Sequence, residues 1–247
     1  VTGPETSRRV ALVTGGSGGI GRAVVDRLAR DGYDVAVHYA GNEARAQEAV
    51  AAVRQQGGRA LAVGGDVADE VAMGTLFDTV EQALGGIDVV VNTAGIMVLG
   101  PVVGFDLADL DRMHRTNIRG AFVVSQLAAA RLRAGGALIN FSTSVTRLQF
   151  PTYAAYVASK AAVEGLTLIL ARELRGRDVT VNAVAPGPTA TPLFLDGKSE
   201  EEVGRLRSAA PLERLGQPDD VAEAVAFLAG PARWVNGQVL FVNGGIG

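Results

Sequence analysis

Short, unbroken apolar runs recur along this chain, and longer amphipathic stretches separate them. The runs are Val10–Thr14, Asp34–Tyr39, Arg59–Val63, Asp88–Asn92, Ala137–Phe141, Thr180–Ala185 and Gln238–Val242. They are rich in valine and do not alternate with polar residues, which is how strands buried on both faces read. Helical spacing fills the gaps at Ile20–Arg30, Glu43–Gln55, Glu70–Leu84, Leu107–Leu132, Tyr153–Arg175 and Asp219–Leu228. Helices of ten or more residues supply the crossovers that parallel strands need. A β-α unit repeated six times and closed by a seventh strand predicts an α/β fold. Its form is a doubly wound, Rossmann-like parallel sheet of seven strands with helices on both faces.

No repeat or low-complexity tract interrupts this pattern over 247 residues, of which 48% are hydrophobic. One domain over residues 10–247 is therefore expected, preceded by a flexible tail over residues 1–9 with Pro4, Glu5 and Arg8-Arg9. That start lacks the apolar run of a signal peptide, so a cytoplasmic protein is expected. The pattern breaks between Pro186 and Pro218, where Pro188, Pro192 and Pro211 also fall. There Pro192–Leu195 is apolar and Lys198–Glu202 charged, and a substrate loop is predicted at about 188–212. The absence of cysteine excludes disulfides, thiolate metal sites and a cysteine nucleophile. Two histidines, His38 and His114, exclude a multi-histidine metal site. The net charge is −3 with no basic block, so no nucleic-acid partner is expected. No run of eighteen apolar residues predicts a membrane span.

Two local patterns carry chemistry. The first strand runs into Thr14-Gly15-Gly16-Ser17-Gly18-Gly19-Ile20-Gly21 and then into a helix. Glycines permit a tight turn and let a pyrophosphate approach backbone amides. The helix N-terminus then offers free N–H groups and a positive dipole end. The second pattern is Tyr156-Val157-Ala158-Ser159-Lys160, which sets a phenol and an ammonium at i and i+4 on one helix face. A free tyrosine has a pKa of about 10. A nearby cation favours the phenolate and draws that value toward working pH, which is what acid–base chemistry requires.

The spacing G-x-x-x-G-x-G, together with Tyr156 and Lys160, resembles the short-chain dehydrogenase/reductase family. Similarity is greatest to its 3-oxoacyl-acyl-carrier-protein-reductase-like branch. The resemblance runs from Val10 to Gly245 through several motifs in order. It implies that Tyr156 is the acid/base for a substrate oxygen, and that Lys160 binds the nicotinamide ribose and lowers the tyrosine pKa. A serine thirteen residues before the tyrosine normally holds the substrate oxygen. That count lands here on Thr143, within Ser142-Thr143-Ser144, and Ser142 and Ser144 stay open as alternatives. Asn117, in Thr116-Asn117-Ile118, matches the asparagine that supports a proton relay. Asn92-Thr93-Ala94-Gly95 resembles Asn-Asn-Ala-Gly beside the cofactor, with Thr93 as a departure. Asp66-Val67 matches the pair at the adenine, and Pro186-Gly187-Pro188-Thr189-Ala190-Thr191 the loop at the carboxamide. Gly15, Ser17, Gly19, Ile20 and Gly21 would then bind the phosphates, and Asn92, Ala94 and Gly95, with Pro186, Gly187, Thr189 and Thr191, the nicotinamide half. Met97, Phe150 and Trp234 are candidates for the pocket mouth. Arg214-Leu215-Gly216-Gln217-Pro218 is expected to be structural.

Strand two ends His38-Tyr39-Ala40-Gly41-Asn42, and its nearest acid is Glu43. NAD-selective relatives place a carboxylate at the end of this strand to take both ribose hydroxyls. Its absence near Tyr39 admits a 2′-phosphate, with Asn42 and Arg45 placed to contact it. The cofactor expected is NADP(H), with NAD(H) use possible. The reaction expected is reversible reduction of a ketone or 3-oxoacyl carbonyl to a secondary alcohol. The rivals are an NAD-dependent alcohol dehydrogenase of the same family and a non-catalytic nucleotide sensor. The resemblance also implies a homotetramer built on the long helices Leu107–Leu132 and Tyr153–Arg175.

Overall fold

Seven strands form one sheet in the computed structural model, which describes residues 8–247. They are β1 (Val10–Thr14), β2 (Asp34–Tyr39), β3 (Ala60–Gly64), β4 (Val89–Asn92), β5 (Ala137–Phe141), β6 (Thr180–Pro186) and β7 (Val239–Val242). Their order is β3-β2-β1-β4-β5-β6-β7 and every pairing is parallel. This is the doubly wound sheet the apolar runs predict. The helices α1 (Gly19–Arg30), α2 (Glu43–Gln55) and α3 (Glu70–Leu84) fall in the first three gaps. α4 (Leu107–Met113), α5 (Ala121–Arg131), α6 (Val145–Leu148) and α7 (Ala154–Glu173) come next. α8 (Pro192–Leu195), α9 (Glu200–Ala209) and α10 (Pro218–Ala229) complete the set.

Two apolar layers hold the helices on the sheet. One is built from Val24 and Leu28 of α1, Val50 and Val53 of α2, and Val225 and Leu228 of α10 over Val13, Val37 and Val91. The other sets Phe77 of α3, Val124 of α5 and Leu170 of α7 over Leu12, Val90 and Leu138. Alternate residues of each strand thus serve opposite faces, as the pleat requires. By length and composition α7 is apolar enough to cross a membrane. Here its residues Val163, Leu170 and Ala171 are buried against the protein, and Leu168 and Ile169 are exposed.

The chain turns back at β1, winding β1 to β3 to one side and β4 to β7 to the other. The carboxyl ends of β1 and β4 therefore border a crevice, the place where ligands bind in open sheets of this kind. A buried polar ladder fixes that seam. Thr14 Oγ1 donates to Asn92 Oδ1 at 2.8 Å, Asn92 Nδ2 to Asn140 Oδ1 at 3.2 Å, and Asn140 Nδ2 to Thr167 Oγ1 at 3.1 Å.

Three expectations need adjustment. Leu107–Leu132 is not one regular helix: between α4 and α5 the segment His114–Gly120 is π-helical. Asn117 lies in this widened turn and is bonded across to the loop after β4, and such bulges gather at functional positions. The stretch between Pro186 and Pro218 contains helices. Thr191 caps α8 with Pro192 behind it, and Ser199 Oγ accepts from Glu202 N at 3.2 Å to cap α9, whose first turn is acidic. Of the expected tail, residues 1–7 lie outside the described residues. Arg9 is tied into the fold, donating to Tyr33 Oη at 2.9 Å, Gly135 O at 3.0 Å and Ala229 O at 3.1 Å.

Candidate active site

A cleft of about 360 Å³ opens at the β1/β4 crevice. Its walls bring together Gly15, Gly19, Ile20, Gly21, Arg45, Ala94, Gly95, Ser142, Thr143, Tyr156, Lys160, Pro186, Gly187, Thr189 and Thr191. These residues span most of the chain, and the carboxyl ends of β1, β4, β5 and β6 gather them.

The glycine loop forms one wall. Gly15 and Gly19 have φ of +64° and +54°, which few other residues adopt. At Gly21 an added Cβ would lie 2.2 Å from Gly15 O, so only glycine lets α1 approach the loop this closely. His38 steadies the turn from below. Its Nδ1 accepts from Gly15 N at 3.2 Å, so the ring proton sits on Nε2, which donates to Gly65 O at 2.9 Å. Burial lowers its pKa and keeps it neutral. The N-terminus of α1 opens into the cleft beside Gly18 and has no side-chain cap. Uncapped N–H groups at the positive end of a helix fit a phosphate anion. Around an added Cβ at Gly18 the space is open.

The opposite wall carries the acid–base group. Tyr156 and Lys160, both buried, stand one turn apart on α7. Lys160 Nζ donates to Phe141 O at 2.9 Å and lies 5.9 Å from the Tyr156 ring centroid. Burial pushes the phenol up to about 12, and the facing Thr143 hydroxyl opposes that only partly. Burial also pushes the Lys160 ammonium down to about 8. The phenol is therefore raised, not lowered as the resemblance implies, and desolvation, which disfavours the phenolate and the ammonium alike, is the dominant cause.

The three neighbouring hydroxyls have different partners. Ser142 Oγ donates to Glu164 Oε1, which also accepts from Thr146 Oγ1 at 3.0 Å. Ser144 Oγ donates to Ala185 O at 3.1 Å. Thr143 faces Tyr156, as the thirteen-residue count expects. Glu164 was not singled out from the sequence, and neither was His38 as a support. Glu164 lies two turns past Tyr156, and only the fold brings it to the turn after β5.

Several predicted residues lie off the cleft walls. Asn92 is in the buried ladder. Asn117 is buried, with Oδ1 accepting from Ile96 N and Nδ2 donating to Ile96 O, both at 2.9 Å, and to Ser159 Oγ at 3.0 Å. It braces the loop whose Gly95 sits between Asn117 and Lys160. Val67 is buried under Gly120, where an added Cβ would lie 2.6 Å from it. Asp66 Oδ1 accepts from Ala68 N at 2.9 Å and Oδ2 from Arg115 at 2.7 Å, and the two hold its pKa down. Asn42 caps α2, accepting from Arg45 N at 3.0 Å. Tyr39 closes β2 against Gly64, and Ser17 sits within the glycine turn. Thr93, the departure from Asn-Asn-Ala-Gly, bonds to Thr14 O and lines the cleft. Met97 and Phe150 line the mouth, but Trp234 is fully exposed away from it. Arg214 pairs with Asp220 at the start of α10, where Gln217 and Asp220 form a capping box.

The family profile described as enoyl-(acyl carrier protein) reductase matches residues 15–247. A short-chain type dehydrogenase/reductase of Picea abies is 44% identical, over 96% of this chain and 92% of the relative. The 3-oxoacyl-[acyl-carrier-protein] reductase of Staphylococcus aureus is 40% identical, over 96% of this chain and 97% of the relative. The chain belongs to the short-chain dehydrogenase/reductase family. It is therefore an oxidoreductase of that family, acting on carbonyl and alcohol groups with a nicotinamide cofactor. The crystal structure of a short-chain dehydrogenase from Burkholderia cenocepacia J2315 in complex with NADP superposes with a TM-score of 0.91. It is 41% identical, over 97% of this chain and 98% of that one.

Proposed function

We propose that this short-chain dehydrogenase/reductase reduces a ketone or 3-oxoacyl-type carbonyl reversibly to a secondary alcohol with NADP(H). One observation carries the reading: Thr143, Tyr156 and Lys160 face a cleft whose opposite wall is the uncapped N-terminus of α1. NADPH, when bound, supplies the hydride. The glycine loop and α1 would hold its phosphates, and Lys160 its nicotinamide ribose. Thr143 and Tyr156 hold the substrate oxygen through their hydroxyls, and Tyr156 delivers its proton to that oxygen as negative charge develops there. Burial raises the phenol above its ordinary value, so at neutral pH Tyr156 carries the proton that this direction consumes. Asn117 acts through the Ile96 backbone as a positioning residue for Gly95 and the cleft floor.

The preference for NADP(H) rests on Arg45 at the cleft wall and on Tyr39, not a carboxylate, at the end of β2. The NADP bound by the Burkholderia relative supports it. Residues 188–212, with α8 and α9, form the substrate loop of one domain. The protein assembles as a homotetramer through exposed apolar side chains: Leu107 on α4, Phe122 on α5, and Leu168 and Ile169 on α7.

The test is NADPH absorbance with a panel of ketones, ketoesters and 3-oxoacyl thioesters, followed by kcat/KM for NADPH and NADH on one substrate. Turnover with a higher efficiency for NADPH is expected. NADPH binding with no turnover across the panel overturns the reductase reading, and a higher efficiency with NADH overturns the cofactor assignment.

A further inference from the structure

Beyond Tyr156 the cleft changes character. Its body side is lined by Met97, Leu148, Phe150 and Tyr153, and its loop side by Leu193 of α8 and Leu206 of α9. Phe150 and Tyr153 meet edge to face, with ring centroids 6.0 Å apart and planes at 70°. They offer a ring surface on which another aryl or branched group packs well.

Among the described residues, the charged side chains on the cleft walls are Arg45 and Lys160. Arg45 stands at the start of α2, beside the glycine loop. Lys160 is buried next to the reacting group and already donates to Phe141 O. Among the described residues, no cation therefore lines the apolar half. The neighbouring cations are engaged by rings: the Arg147 guanidinium lies 3.8 Å from the Phe241 ring centroid, and Lys198, not itself in the lining, stacks at 4.8 Å on Phe194 of the loop-side wall. The acidic first turn of α9, Glu200–Glu202, flanks the loop side, and Glu202 acts on the Tyr153 phenol through its charge. A carboxylate or phosphate packed into this half would give up hydration without gaining a partner on the wall, which disfavours its binding.

We infer that the substrate of this cleft is a neutral carbonyl compound whose other end is an aryl or branched apolar group, not a keto acid or a phosphorylated ketone. The inference rests on the reductase reading and deepens it. Selectivity comes from exclusion: the apolar half lacks a charge partner, so an anion binds poorly even when its shape fits.

The experiment uses two ketones that differ in charge far from the reacting carbon, ethyl 4-acetylbenzoate and 4-acetylbenzoate. Steady-state kcat/KM is measured for each with NADPH, and the thermal shift of the NADP-loaded protein with each corresponding alcohol. The ester is expected to exceed the carboxylate by about 100-fold or more, and only its alcohol to raise the melting temperature. Leu193→Arg and, separately, Leu206→Arg put a cation into the apolar half and should narrow the ratio at least tenfold. Equal or better use of the carboxylate, or a ratio unmoved in both variants, overturns this inference and leaves the reductase reading intact. Failure of both ketones and of the whole ketone and thioester panel, with NADPH bound, overturns the reading and the inference together.

Discussion

Burial of Tyr156 and Lys160 has consequences that can be measured one residue at a time. Tyr156→Phe removes the proton donor and almost no volume, so turnover should fall roughly 10²–10⁴-fold. NADPH affinity, read by fluorescence titration, should stay within a factor of about two, because the phenol is not needed to hold the phosphates. Thr143→Ala should lose most activity, whereas Ser142→Ala should keep most of it, since Ser142 is turned toward Glu164. Full activity in Thr143→Ala would transfer the role to a neighbour. The two pKa values also make stability depend on pH. Lys160 titrates near 8 in the folded protein, below its ordinary 10.5, so between those values the unfolded chain binds a proton that the folded chain does not. Stability without cofactor should therefore rise from about pH 8 to 10.5, by a few kcal/mol at about 1.4 kcal/mol per unit. Tyr156 has the opposite sign: its folded value of about 12 exceeds the ordinary 10.0, so stability falls between them. Urea unfolding across this range should show the rise in the wild type and lose it in Lys160→Met.

The first βα turn combines a position that accepts no side chain with one that is open. Gly21→Ala forces a methyl toward Gly15 O, and overpacking of this kind costs about 1–3 kcal/mol. Urea unfolding should register that loss, and titration a weaker NADPH affinity, because the loop and the start of α1 must separate. Gly18 has an extended backbone at φ −166° and open space around it. Gly18→Arg should fold normally and tighten NADPH binding relative to NADH, since it sets a second cation at the mouth that Arg45 lines. A destabilised Gly18→Arg, or an unchanged cofactor ratio, would contradict this account of the turn. At this scale the sequence was legible wherever period and caps agreed. The strand–glycine–helix unit was visible from its apolar run and its spacing. The π-helical turn at His114–Gly120 was not, and it goes with a bond that Asn117 accepts from Ile96 N, 21 residues away, a contact no local period reveals. The helices α8 and α9 were hidden by prolines, although Thr191-Pro192 and Ser199 followed by Glu200–Glu202 are ordinary helix starts.

For the whole molecule, the exposed apolar side chains make the assembly testable. Phe122 is 56% and Ile169 60% accessible, far more than the second face of a sheet-covering helix needs. Light scattering at micromolar concentration should give a tetramer, and Ile169→Glu should reduce it to smaller species. A stable wild-type monomer would contradict the assembly.

Local chemistry in the chain determined the seven strands, their parallel winding, the glycine turn and the Tyr156–Lys160 pair. Each depends on residues within a turn or two of one another, or on a period that repeats regardless of what packs above it. Tertiary structure alone decided which hydroxyl of Ser142-Thr143-Ser144 faces the phenol. Glu164 and Ala185 had first to arrive and occupy the other two. It also decided the state of Tyr156, whose phenol burial raises above its ordinary value. Desolvation and hydrogen-bond competition depend on everything that surrounds a group, and that surrounding exists only after the chain has closed.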